Sequence, residues 1–135
     1  SVSHTRAHLL RAVYEGIAFS HRYHYEKLLT SLNGKKPECI RLAGGAAHSQ
    51  IWAQMFADIM QVPIETVEAN ETGALGCAIA VAFAVDEYSS LESAAQHMCK
   101  VSMRLLPDPD AGKIYDQKYS RYLKAIECLD GFWEE

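Results

Sequence analysis

The chain has 135 residues, about half of them apolar (49%), with 13 basic and 17 acidic side chains and a formal net charge of -4. That length suits one compact domain with a core of its own. The mixed, mildly acidic charge argues against nucleic acid as a main partner, because gripping a phosphodiester backbone calls for a concentrated basic surface. A small phosphate ligand stays allowed, since backbone N–H groups can hold one without leaving a mark on the charge balance.

The first long element is a helix from about Ser3 to Ser31, with Ser3 as a cap. Leu10, Val13, Ile17, His21, His24 and Leu28 recur at three- and four-residue steps and so share one face. Asn33-Gly34 breaks the helix and Pro37 prevents its resumption. Glu38 to Ala43 is a short strand candidate that runs into Gly44-Gly45. A second helix follows, about Ser49 to Met60, with Ile51, Trp52, Met55, Phe56 and Ile59 facing inward, and Pro63 marks its end. Pro63 to Val67 reads as a strand rich in β-branched residues.

The third helix, about Glu71 to Val85 with Asn70 as a cap, is apolar nearly all round and is expected to be buried on most sides. Leu91 to Met98 is a short helix, and Val101 to Leu105 reads as an extended segment. Pro107 and Pro109 punctuate the next turn. The last helix, about Asp110 to Leu129, carries Tyr115, Tyr119, Tyr122, Ile126 and Leu129 as a packing stripe. Strands alternating with helices mean an α/β fold of short strands covered by several helices. Two short strands are too few for a stable sheet, and the first helix has nothing before it to pack on. Both points suggest a piece of a larger fold.

Cys39, Cys77, Cys99 and Cys128 are too widely spaced for a CxxC or a zinc site. Three lie in apolar runs, and all four read as reduced core cysteines of a cytosolic protein. The longest apolar run, Gly73 to Val85, is shorter than the ~20 residues of a membrane span. No signal peptide is read, and the expectation is a soluble, cytoplasmic protein without a membrane partner.

Gly44-Gly45 is the first candidate for chemistry. A strand leads in and a helix leaves, glycine permits the sharp turn, and the missing side chain lets a ligand lie against the backbone. The helix beginning near Ser49 adds free N–H groups and a positive dipole end. A nucleobase, a ribose or a phosphate could rest there, and so could nothing, since such turns are often structural. Neither GxGxxG nor GxxxxGK[ST] is present. Gly73 and Gly76, three apart on a helix, suit close helix packing or, alternatively, a flat ligand wall. His4/His8 and His21/His24 have helical spacing but no acid or cysteine completes a metal site. His48 lies in the loop after Gly45, in reach of a ligand or of solvent. Asp58 reads as structural, and no constellation for phosphoryl transfer stands in the chain.

Four segments in order resemble the FGGY carbohydrate kinases. Leu42 to Glu65 (LAGGAAHSQIWAQMFADIMQVPIE) is similar to that family's adenosine-binding turn with its following helix and strand. Glu71 to Val85 (ETGALGCAIAVAFAV) is similar to its next helix. His8 to Glu15 (HLLRAVYE) resembles the back half of a family signature, and the tail from Pro107 to Leu129 resembles the family's C-terminus. The resemblance implies part of the C-terminal lobe of the actin-like, ribonuclease H-like ATPase fold. It implies transfer of the ATP γ-phosphoryl group to a sugar hydroxyl with Mg2+, and ATP/ADP and a sugar as partners, the sugar through an N-terminal domain outside these residues. A homodimer is among the assemblies it allows. Gly44 and Gly45 are implied to lie against the nucleotide, Ala46 near the adenine, and Ser49 where some members place an adenine-contacting Asn. No residue here is implied to be catalytic, none binds metal, and the 135 residues alone are expected to be an inactive, truncated piece or proteolytic remnant of a full-length kinase. The wording of the glycine segment leans to the xylulokinase-like branch. The alternatives are a non-catalytic nucleotide-binding or oligomerisation module of the same fold, and another ATPase of the superfold such as a chaperone or repressor relative.

Overall fold

A computed structural model describes residues 3–68 and 71–133. The elements run α1 (Arg6–Ser31), β1 (Ile40–Leu42), a 3-10 turn (Gly45–His48), α2 (Gln50–Met60), β2 (Ile64–Val67), α3 (Thr72–Ala84), α4 (Leu91–Met98), β3 (Val101–Leu105) and α5 (Pro109–Asp130), with a last 3-10 turn at Gly131–Trp133. The strands form one sheet in the order β1-β2-β3. β1 and β2 are parallel, Ile40 opposite Ile64 and Leu42 opposite Thr66. β3, read from the sequence only as an extended segment, closes the other side of β2 as an antiparallel strand, Ile64 opposite Leu105. It supplies the third strand that a stable sheet needs, and Thr66 Oγ1 meets Ser102 Oγ across the pair at 2.8 Å.

Helix boundaries follow local chemistry. α1 starts at Arg6 with Thr5, not Ser3, as the N-cap; the Thr5 N–H donates to His8 Nδ1 at 3.0 Å. It ends where Asn33 and Gly34 adopt positive φ of 53° and 76° and Gly34 N–H donates back to Leu29 O. α2 ends on Gln61 in the left-handed region, φ 51°. At α5, Asp108 Oδ1 accepts from the N–H groups of Asp110 and Ala111, and Pro109 fills the first turn. The Asn70 cap lies outside the described residues; the cap position of α3 is Glu71, whose side chain makes no capping bond.

The core lies where α2 crosses the sheet and is flanked by α1 and α5. Met55, Phe56, Ala57, Ile59 and Ile64 meet Ala18 and Phe19 from α1 and Tyr115 and Tyr119 from α5. Phe19 sits among Tyr115, Tyr119 and Tyr122 at ring separations of 5.5–6.2 Å, so the tyrosine stripe is packing as its spacing implied. Its far end is not: Leu129 is exposed. Charge pairs fasten the same helices. The buried Glu15 carboxylate accepts from Arg11 Nε at 2.9 Å and from Lys118 Nζ at 2.8 and 2.9 Å, and Arg11 also donates to Tyr115 OH. Arg22 lies over the Tyr119 ring, and Tyr119 OH donates to Glu26; burial and this carboxylate push the Tyr119 phenol far above its ordinary value of 10.

The α1 stripe of Leu10, Val13, Ile17, His21, His24 and Leu28 shares one face as read, and that face is exposed, because α2 and α5 cover the adjacent face that carries Glu15, Ala18 and Phe19. Three expectations are corrected. Ile51 points to solvent while Met55, Phe56 and Ile59 are buried. α3 has no buried residue at all, because it packs chiefly against α4 and not against the core. With it falls the reading of core cysteines: Cys77 and Cys128 are exposed, Cys39 and Cys99 half-buried.

Asp58 is structural as expected. Its buried carboxylate accepts from Gln54 Nε2 at 2.8 Å and from Asp108 N at 2.9 Å, tying α2 to the turn before α5. Asp58→Ala strands that N–H and should cost about 1–3 kcal/mol, read by urea denaturation. Glu65, buried on β2, is raised by burial, but its bonds to Cys39 and Arg41 and the charges of Arg104 and Arg41 outweigh this and hold it below its ordinary 4.5. A depressed folded value means that the ionised form is favoured in the fold, so its stabilisation is full above about pH 4.5 and is lost as the pH falls through the folded value. Glu65→Gln should therefore flatten the acid limb of the stability profile relative to the parent protein.

Candidate nucleotide-binding turn

The parallel pairing of β1 and β2 puts their carboxyl ends at one edge of the sheet, the edge at which open α/β sheets bind ligands. At that edge the chain leaves β1 through Ala43, turns at Gly44, forms one 3-10 turn over Gly45–His48 and enters α2. Gly44 has φ 78° and ψ -160°, a region open essentially to glycine alone. Its carbonyl accepts from Ala47 N at 3.0 Å, which closes the turn.

Gly45 is different. Its φ is not positive, and a Cβ built there meets nothing within 4 Å among the described residues. Neither conformation nor packing inside the chain calls for glycine, so the bare backbone at Gly45 is an open face. Ala46 is half-buried and packs on the core, which anchors the turn from below. Ala47 is half-buried and His48 exposed. Ser49 is the N-cap of α2: its Oγ accepts from Trp52 N at 3.3 Å, while its carbonyl takes Ala53 N at 2.8 Å. The hydroxyl keeps a proton that it can donate. All four residues singled out from the sequence, Gly44, Gly45, Ala46 and Ser49, thus fall on one continuous turn.

Behind the turn, Trp52 stacks on Tyr14 of α1 with ring centroids 4.6 Å apart and planes 21° from parallel. Its indole Nε1 is buried with no partner among the described residues. Neither residue is a site candidate by sequence: Trp52 reads there only as an inward-facing core residue, and nothing local pairs it with Tyr14. At the second glycine pair, Gly73 and Gly76, an added Cβ would meet no other element within 4 Å among the described residues, so the close helix packing considered for it is not made among them. Among the described residues no three histidine, cysteine or carboxylate side chains converge as a metal site, and no helix is long and apolar enough to cross a membrane.

The two glycines should separate in a stability experiment. Gly44→Ala forces a side chain into a glycine-only conformation and should cost about 1–3 kcal/mol in urea denaturation. Gly45→Ala, with open space and ordinary φ, should stay within about 0.5 kcal/mol of the parent.

Known proteins share this fold. Residues 1–85 match the C-terminal domain of the FGGY family of carbohydrate kinases. The chain is 39% identical over 129 residues to the L-xylulose/3-keto-L-gulonate kinase of Escherichia coli strain K12, covering 96% of this chain and 26% of that protein. It is 34% identical over 122 residues to a xylulose kinase of Staphylococcus epidermidis, covering 90% of this chain and 24% of that protein. The fold overlays the crystal structure of ligand-bound xylulose kinase from Lactobacillus acidophilus with a TM-score of 0.85 at 26% identity, over 96% of this chain and 26% of that one. It overlays Plasmodium falciparum glycerol kinase, solved with ADP, with a TM-score of 0.78 at 26% identity, over 94% of this chain and 25% of that one. The chain spans about a quarter of the length of these relatives. With a domain match through the turn and a shared architecture around it, the chain belongs to the FGGY family of carbohydrate kinases.

Proposed function

We propose that these residues form the nucleotide-binding part of the C-terminal domain of an ATP-dependent kinase that phosphorylates a hydroxyl of a pentulose or related sugar. Gly45 carries the reading: an unshielded glycine at the carboxyl edge of a parallel strand pair, needed by neither backbone geometry nor internal packing. In this role Gly44 makes the turn, Gly45 and Ala46 lie against the adenosine, and the Ser49 hydroxyl donates to it. The likeness to xylulose kinases supports the substrate class, and the glycerol kinase solved with ADP supports a nucleotide on this architecture.

Phosphoryl transfer demands positioning and charge neutralisation more than covalent chemistry. This region contributes the positioning. Residues 43–51 carry no carboxylate, so they fit a nucleoside and not the Mg2+ that accompanies ATP. The sugar site, the metal ligands and the base for the sugar hydroxyl belong, in this reading, to an N-terminal domain of a longer, cytoplasmic polypeptide without nucleic-acid or membrane partners, and residues 1–135 alone transfer no phosphate.

The test uses the full-length kinase with a panel of pentuloses. The parent enzyme should form ADP in a sugar-dependent manner. Gly45→Val should raise the KM for ATP by about 10-fold or more while leaving the KM for sugar and the unfolding midpoint close to those of the parent. No sugar-dependent ADP formation would overturn the kinase reading, and an unchanged KM for ATP would overturn the placement of adenosine on this turn.

A further inference from the structure

From Ala43 to Ala47 the nucleotide turn has only glycine and alanine, so it holds no polar side chain with which to fasten itself. Its backbone bonds, Ala47 N–H to Gly44 O and Ser49 N–H to Ala46 O, close within it. Ala46 rests on the core. At the exit, Ser49 Oγ accepts from Trp52 N at 3.3 Å, and the Trp52 ring lies on Tyr14 of α1 at 4.6 Å. Deeper in the same contact, Trp52 meets Phe56 at 6.0 Å and Phe56 meets His21 edge-on at 5.3 Å. Trp52 and Phe56 stand one turn apart on α2, and Tyr14 and His21 two turns apart on α1, so the aromatic row runs along the α1–α2 contact. The Tyr14–Trp52 pair is the end of that row at the first turn of α2. The stack and not the N–H orients the indole, because Nε1 is buried with no partner among the described residues.

We propose that Tyr14 and Trp52 are positioning residues for the nucleotide: their stack fixes the first turn of α2 against α1 and so sets where the Ser49 hydroxyl and the open backbone of Gly45 stand. This rests on the reading of the turn as the adenosine site. Neither ring has to touch the nucleotide. A displacement of the turn is enough, since a misplacement of about 1 Å can cost on the order of 100-fold in rate. The role also separates Trp52 from an ordinary core residue: what matters is an aromatic face at this place, and the indole N–H contributes nothing to it.

The experiment measures KM for ATP, KM for sugar and the unfolding midpoint of the full-length kinase in Tyr14→Leu, Trp52→Leu, the double variant and Trp52→Phe. Each leucine variant should raise the KM for ATP about 5-fold or more and leave the KM for sugar at the parent value. The double variant should be no worse than the more affected single one, because both changes remove the same stack. Trp52→Phe keeps an aromatic face without the unpartnered N–H and should retain the parent KM for ATP. An unchanged KM for ATP in Tyr14→Leu overturns the proposal, and so do multiplying effects in the double variant or an equal rise in both KM values, the mark of general loosening. Tyr14 is 40% exposed, so Tyr14→Leu decides the matter even where Trp52→Leu does not fold. Gly45→Val in parallel separates the two readings: a raised KM for ATP there but not in the leucine variants removes the positioning role alone, and an unchanged one removes the adenosine site on which that role rests.

Discussion

Two neighbouring strands that run in the same direction cannot be joined by a tight turn, and the pairing of β1 with β2 places this constraint at the centre of the molecule. The chain must leave the carboxyl end of β1, cross over, and return to the start of β2. α2 is that crossover. Its N-terminus therefore has to stand at the carboxyl edge of the sheet, its body has to lie on one face, and the few residues between β1 and α2 have to reverse the chain in little space. Gly44 meets the last demand with a conformation closed to other residues. A ligand-accessible turn beside a helix N-terminus is thus a by-product of strand direction, before any particular side chain is considered.

The remaining packing follows from the position of α2. Its buried side offers Met55, Phe56 and Ile59, and α1 and α5 reach the same core with Phe19, Tyr115 and Tyr119. The Arg11–Glu15–Lys118 bridge and the Arg22–Tyr119–Glu26 group lie along this α1–α5 contact. They give the segment His8 to Glu15 a physical role: Glu15 is the acceptor that holds cations from two helices, so a stretch that resembles a family signature acts here as a fastener between α1 and α5. Its partner residues are far away in sequence, which is why the resemblance could be noticed without the reason for it.

Much of the framework was legible because it depends on local chemistry. The break at Asn33-Gly34, the turn at Gly44-Gly45, and the spans of α2, α4 and α5 follow from caps, prolines and spacing that each segment carries within itself. The misreadings share another cause. Periodicity locates the most apolar stripe of a helix but not what covers it. On α1 the leucine and isoleucine stripe is bare while Glu15 is buried, and on α3 every face is apolar and none is covered fully. Ser3 and Thr5 are both able to cap, and only the register of His8 decides between them. At the candidate site the four residues of the turn were legible as a group. The division of labour between Gly44 and Gly45, the engagement of Ser49 as a cap and the Tyr14–Trp52 stack behind them were not, because each depends on a dihedral angle or on a contact between distant elements.

The join between Arg11 and Tyr115 spans 104 positions of the chain. Polypeptides are made from the N-terminus at a pace far slower than a helix forms. α1 can therefore lie against α2, and the sheet can form, before α5 has emerged to cover Phe19 and Glu15. Closure of the α1–α5 seam is a late event in the life of the nascent chain. An early stop within α5 would leave Phe19 without its tyrosines and Glu15 without its lysine, so that the quality-control machinery would meet a nearly finished sheet beside an open core.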